Sequence, residues 1–294
     1  MQVKIIGNGA WGKSIASVLE ENSHTVVFLE KGKIRLEAND TVVLALPTNA
    51  IREALSVAKN VENLIIVNCS KGIERDTNKL PFEIVKEIMH PSTEYFALLG
   101  PSFANEVAEK MPTLVNVGFH GQAKENASAI QNLFQTSYLR IHLVRGVAAL
   151  ELAAALKNIY AIACGLAEGV GFGMNTRTKV IVTAIGEFYR LCRALGFDID
   201  EKAMSGIIGD FILTGSSEES RNFQFGKLVV TNSIEESLKQ INATVEGYHS
   251  ARAIAYLSQK ADVTLPLAEL VATIVQSQEH DDIKKLFTNV AEKI

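Results

Sequence analysis

Gln2-Val3-Lys4-Ile5-Ile6-Gly7-Asn8-Gly9-Ala10-Trp11-Gly12 is a β-branched apolar run that breaks into glycines spaced G-x-G-x-x-G and then opens a helical pattern. A strand, a glycine turn and a helix in that order are the fingerprint of a dinucleotide-binding unit. Gly7 permits the tight turn, Gly9 lets the backbone approach a pyrophosphate, and Gly12 lets helix pack closely on strand. The helix N-terminus supplies free N–H groups and a positive dipole end to the anion. Read without a ligand, the same residues are a tight strand-to-helix turn.

Working outward, Glu30 stands at the end of the second apolar run, TVVFL. A carboxylate there accepts from both ribose hydroxyls and repels a 2′-phosphate, which favours NAD. Lys31, Lys33 and Arg35 follow directly and could equally cradle a 2′-phosphate or form a solvated charged loop, so NAD and NADP both stay open. Further runs, TVVLAL, LIIVNC, YFALL, TLVNVG and YLRIHL, alternate with mostly helical stretches up to about residue 145. That alternation predicts an α/β domain, Rossmann-like, with a mostly parallel sheet over residues 1–145. From Thr113 to Leu265 there is no proline, and alanine is abundant from Val147 on. Proline breaks a helix interior at a cost of about 3 kcal/mol, so residues 146–294 are expected to form an all-α domain. The segment GVGFGMNT at 169–176 reads as a connection between two of its helices.

Composition narrows the function. The chain has 294 residues, 47% hydrophobic and 21% charged, with 29 basic against 33 acidic residues and a net charge of −4. Its mean hydropathy is +0.13 and its pI about 5.9. This is a folded globular composition with no basic field for nucleic acid or an anionic bilayer. Cys69, Cys164 and Cys192 are odd in number, far apart and in apolar surroundings, so they read as reduced core thiols. The most apolar stretch, 146–167, is interrupted by Glu151 and Lys157 and reads as a buried helix, not a membrane span. With no leader pattern ahead of the first run, a cytoplasmic location is expected. The histidines show no metal-ligand spacing and no G-x-S-x-G elbow occurs, so no metal site is expected.

Pro47-Thr48-Asn49, Ser70-Lys71-Gly72 and Gly100-Pro101-Ser102-Phe103-Ala104-Asn105-Glu106 follow later strands and would share the carboxyl edge of the sheet with the glycine turn. Ligands bind along that edge, which places Lys71 to meet an anionic or carbonyl-bearing substrate. Lys157 has Ala153, Ala154, Tyr160 and Ala161 as helical neighbours, a face of mainly small side chains. Burial lowers a lysine's pKa and makes it usable for proton transfer. The alternative is a buried lysine held by a carboxylate, with Asp210 or Glu151 as partner. Asp210 and Thr214 are four apart on one helix face, while Ser220, Arg221 and Asn222 offer a hydroxyl, a guanidinium fork and an amide to a phosphate.

Taken in order, GNGAWG, SKGIE, GPSFANE, LKNIYAIACG, GFGMNTRT, GDFILT, SRNFQFG and VEGYHSAR resemble the bacterial-type NAD(P)-dependent glycerol-3-phosphate dehydrogenases along nearly the whole chain. The resemblance implies a Rossmann-like domain followed by a helical one, and reduction of dihydroxyacetone phosphate to sn-glycerol 3-phosphate for phospholipid synthesis. It implies Lys157 as the catalytic proton acceptor in the oxidative direction, with Lys71 and Asp210 orienting or polarising the reacting carbonyl. Gly100 and Ser102 would lie against the substrate, and Ser220, Arg221 and Asn222 would meet its phosphate, with Arg221 also near the cofactor. Ala10, Trp11, Lys31, Lys71, Ala104, Thr244 and Glu246 would contact the cofactor, beside Gly7, Gly9, Gly12 and Glu30. A homodimer is expected on the same ground. The sequence departs from the family in the short KGKIRLEAND segment between Glu30 and Thr41, where relatives carry a helix and a further strand, which predicts a more open adenosine side. Smaller departures are Ala153-Ala154 for a usual glycine pair and Ser102 for a common threonine. Two rival readings are a related hydroxy-acid dehydrogenase and a dinucleotide-binding regulatory protein without catalysis.

Overall fold

Every apolar run named above forms a strand of one sheet. A computed structural model of the chain describes residues 1–121, 124–277 and 282–294. It divides into two compact units, the first comprising Met1–Glu74, Lys79–Glu151 and Asp198–Ile207, the second Arg75–Asn78, Leu152–Phe197 and Ile208–Ile294.

In the first unit the strands are β1 (Gln2–Ile6), β2 (Thr25–Leu29), β3 (Thr41–Leu44), β4 (Ile65–Asn68), β5 (Glu94–Leu99), β6 (Thr113–Phe119) and β7 (Leu139–Arg145). Their order in the sheet is β2-β1-β3-β4-β5-β6-β7. All neighbours pair parallel except β5 with β6, where Phe96 lies opposite Phe119. The helices between them are α1 (Ala10–Glu21), α2 (Ile51–Leu55), α3 (Pro81–Ile88), α4 (Ala104–Ala108) and α5 (Lys124–Phe134). Parallel strands covered on both faces need apolar side chains on both, which is why β3 is buried along its whole length. One core layer gathers Ile5, Ile15, Leu19, Val43, Phe96 and Phe134, and the other gathers Val42, Leu44, Ile51, Ile66 and Ile84. Between β2 and β3 there is neither helix nor strand, as the short segment after Glu30 predicts.

The remaining helices are α6 (Val147–Gly169), α7 (Met174–Ala194), α8 (Ala203–Ser216), α9 (Arg221–Leu228), α10 (Ile234–Ile241), α11 (Glu246–Ser250), α12 (Ile254–Ala261), α13 (Pro266–Gln276) and α14 (Ile283–Ala291). No strand occurs after Arg145 among the described residues. The second unit is thus helical. α6 is long and apolar enough to cross a bilayer by length and composition, yet its whole apolar window is buried within the protein. The residues between α6 and α7 form the expected connection, and the three cysteines are buried free thiols. In this unit Glu187 of α7 is fully buried, accepting from Tyr160 Oη at 2.8 Å and from the Leu267 and Ala268 N–H groups at the start of α13. A carboxylate at a helix N-terminus satisfies donors that have no partner within the helix.

Candidate active site

In the first unit the candidate site residues lie at the carboxyl ends of the strands. Gly7 turns the chain at φ +116°, and a Cβ there would lie 2.1 Å from the Ala45 carbonyl oxygen. Only glycine fits that position. Gly12 packs against Gly7, whose carbonyl oxygen would lie 2.1 Å from an added Cβ, so α1 starts hard against the turn. Gly9 is the N-cap of α1 and makes no side-chain cap, and a Cβ on it would meet no heavy atom within 4 Å. The first N–H groups of α1, at Ala10 and Trp11, are therefore open to close approach by an anion, and this cradle fits a dinucleotide pyrophosphate.

Ala104 begins α4, and its carbonyl accepts from Ser14 Oγ of α1 at 2.7 Å, so it is tied to the glycine-turn helix. Lys71, just beyond β4, donates from Nζ to the Gly100 carbonyl at 3.3 Å, and Ser102 Oγ donates to the same oxygen at 3.3 Å. Three predicted site residues are thereby brought together. Glu30 and Lys31 lie exposed after β2, where Lys33 pairs with Glu30 at 2.9 Å and Lys31 with Glu53 at 3.0 Å.

In the second unit the small-residue face of α6 is buried, and Lys157 is buried with it. Its Nζ donates to Oδ1 of Asp210 and, at 3.0 Å, to Oγ1 of Thr214, both on α8. Of the two carboxylates the sequence offers as partners, Asp210 is the one used. Glu151 instead accepts from the Tyr95 hydroxyl, Asn68 Nδ2 and Phe82 N, all in the first unit. Ser220 is the N-cap of α9 and accepts from Phe223 N at 3.3 Å, and Arg221 follows it exposed. Asn222 is buried, donating to Asn158 Oδ1 at 3.0 Å and accepting from Gly247 N at 2.9 Å, so it ties α9 to α6 and α11. Glu246 begins α11, and burial pushes its carboxyl up to about 7 against the opposing pull of Arg221 and Arg75. Arg75 also donates to His249 Nδ1 at 2.7 Å. Thr244 is exposed, and no hydrogen bond joins it to this group among the described residues.

Sequence reasoning did not assign a role to Thr214, Asn158, Asn68 or Arg75. For Thr214 the i+4 spacing from Asp210 is a usable signal. Asn158 is marked only by adjacency to Lys157, and Asn68 and Arg75 carry no pattern of their own.

A mostly parallel nucleotide-binding sheet with a glycine cradle, together with a helical unit holding a buried lysine–carboxylate pair, defines a two-domain nicotinamide-nucleotide oxidoreductase. Residues 33–126 match the family described as NAD-dependent glycerol-3-phosphate dehydrogenase N-terminus, and residues 146–286 match its C-terminus. The glycerol-3-phosphate dehydrogenase [NAD(P)+] of Thermotoga sp. (strain RQ2) is 33% identical, with 94% of this chain and 92% of that protein covered. That of Fusobacterium nucleatum is 31% identical over the same shares. Among solved structures, glycerol-3-phosphate dehydrogenase from Coxiella burnetii superposes with a TM-score of 0.88 at 22% identity, covering 99% of this chain and 98% of that one. The chain belongs to the NAD(P)-dependent glycerol-3-phosphate dehydrogenase family.

Proposed function

We propose that this protein reduces dihydroxyacetone phosphate to sn-glycerol 3-phosphate with NADH or NADPH, in the cytoplasm and in the service of phospholipid synthesis. The observation that carries the reading is Lys157, a lysine buried on a face of small side chains and held by Asp210 and Thr214 within the family's LKNIYA stretch. Binding alone requires no such lysine.

Residues 1–145 take the role of dinucleotide-binding domain and residues 146–294 that of substrate and catalytic domain. Gly7, Gly9, Ala10, Trp11 and Gly12 hold the pyrophosphate, Glu30 and Lys31 the adenosine ribose, and Ala104, Thr244 and Glu246 the rest of the dinucleotide. The nicotinamide, when bound, would supply the hydride for reduction at the substrate's C2. Lys157 gives its Nζ proton to the oxygen that becomes the new hydroxyl, and takes it back in the oxidative direction. Asp210 orients that amine by accepting from it. Lys71 polarises the carbonyl, with Gly100 and Ser102 against the substrate and Lys71 also near the cofactor. Ser220, Arg221 and Asn222 bind the phosphate, Arg221 through its planar fork. A homodimer is the expected assembly, on family likeness alone.

The test is oxidation of NADH and of NADPH, followed by absorbance with dihydroxyacetone phosphate, using Lys157→Ala as control. Turnover by the wild type alone establishes the reaction. Cofactor binding without turnover by the wild type points instead to another substrate or to a regulatory protein.

A further inference from the structure

Asn68, the last residue of β4, is fully buried and bonded on both sides of its amide. Its Oδ1 accepts from Ser70 N at 2.9 Å, and its Nδ2 donates to Ser70 O at 3.2 Å. These two bonds close the turn that delivers Lys71. The same Nδ2 donates to Glu151 Oε1 at 3.0 Å, using its second hydrogen. Glu151 is 1% exposed, and its carboxylate also accepts from Phe82 N at 2.9 Å and from the Tyr95 hydroxyl.

This chain of bonds is costly to bury. Desolvation pushes Glu151 up to about 7 although three donors face it, and an apolar residue of similar volume at the same place would carry no such penalty. What the polar arrangement adds is direction. The carboxylate fixes the orientation of the Asn68 amide, since only the nitrogen side donates to it. That orientation in turn presents Oδ1 to the Ser70 N–H, and the turn so formed sets the backbone from which Lys71 extends to the Gly100 carbonyl.

We propose that Asn68 and Glu151 are positioning residues for Lys71, acting on it through the Ser70 turn and touching neither substrate nor cofactor themselves. The proposal rests on the reading of Lys71 as a residue that meets the substrate. A side chain that must polarise a carbonyl loses much of its effect when misplaced by about 1 Å, so the turn that aims it matters to the rate.

A double-mutant cycle tests it, with steady-state kinetics on wild type, Asn68→Ala, Lys71→Ala and the double variant. Asn68→Ala is expected to lower kcat/KM about tenfold in the wild-type background and less than about twofold once Lys71 is already alanine. Equal loss in both backgrounds, or no loss in the first, overturns the proposal. Should Asn68→Ala fail to fold, Glu151→Gln and Tyr95→Phe, which keep volume and shape, take its place in the cycle with a smaller loss and the same dependence on Lys71. Lys71→Ala at full turnover overturns the reading of Lys71 and this proposal together, whereas loss on Lys71→Ala with an additive Asn68→Ala overturns only the proposal.

Discussion

Lys157 and Asp210, on different helices of the second unit, are joined amine to carboxylate with side chains 7% and 6% exposed. Thr214, one turn beyond Asp210, accepts from the same amine at 3.0 Å. The lysine is thereby fixed in direction and not merely neutralised. Lys157→Ala is expected to lower turnover by about 10²-fold or more while NADH binding changes little. Steady-state rates and a fluorescence titration of NADH check this, and equal turnover removes Lys157 from the chemistry.

The same pair has a stability consequence separable from catalysis. Removing one member leaves the other charge buried without its match, a cost of about 3–5 kcal/mol. Asp210→Leu alone should therefore lower the melting temperature sharply, whereas Lys157→Met with Asp210→Leu should recover most of that loss and remain inactive. Calorimetry of the single and double variants decides it, and a double variant as unstable as the single one contradicts the account.

How much of this was legible in sequence depended on whether the signal was local. The strands of the sheet were readable because a sheet covered on both faces needs short, largely apolar runs, and the glycine turn because a φ of +116° at Gly7 excludes other residues. The buried lysine was readable from the small neighbours on its helix face. Its partner was not, because helix spacing leaves Asp210 and Glu151 equally plausible and only tertiary packing separates them. Asn68 carries no pattern of its own in the sequence, since the bond that sets it apart joins it to Glu151 far along the chain.

Arg221 is the first residue of α9 and exposed, next to the N-cap Ser220. On the proposed reading the helix N-terminus and the guanidinium fork would together hold the substrate's phosphate. Arg221→Ala should raise the KM for dihydroxyacetone phosphate at least about tenfold, with a smaller change in kcat. An unchanged KM in the steady-state assay discards the phosphate-binding role.

On the proposed reading, cofactor choice turns on Glu30. Its carboxylate is exposed at the end of β2, Lys33 is paired with it at 2.9 Å, and Lys31 is paired with Glu53 at 3.0 Å. In that reading the Glu30 carboxylate accepts from the ribose hydroxyls and repels a 2′-phosphate, and NADH should be the better substrate. The ratio of kcat/KM for NADH over NADPH should exceed about ten and fall in Glu30→Ala. A ratio below one in the wild type assigns the basic residues to a 2′-phosphate instead.

Buried carboxyls should make the stability of the protein fall as pH rises toward neutrality. Glu151 ionises near 4.5 in the unfolded chain and at about 7 when folded, and Glu246 is shifted to a similar value by burial. Between those values the folded protein holds protons that the unfolded chain has released, so stability falls as pH rises through that window and levels off above it. At about 1.4 kcal/mol per unit, Glu151 alone contributes on the order of 3 kcal/mol to this fall. Glu187, raised in the same direction by desolvation, adds to it. Glu87 has the opposite sign, since Arg52 and Lys79 hold it down to about 2, but its contribution is lost only below 4.5. Denaturant melts taken across the window should show a declining wild-type stability and, in Glu151→Gln, a shallower decline by about one proton's worth. An identical slope in the two proteins would mean that Glu151 does not carry its proton into the folded state.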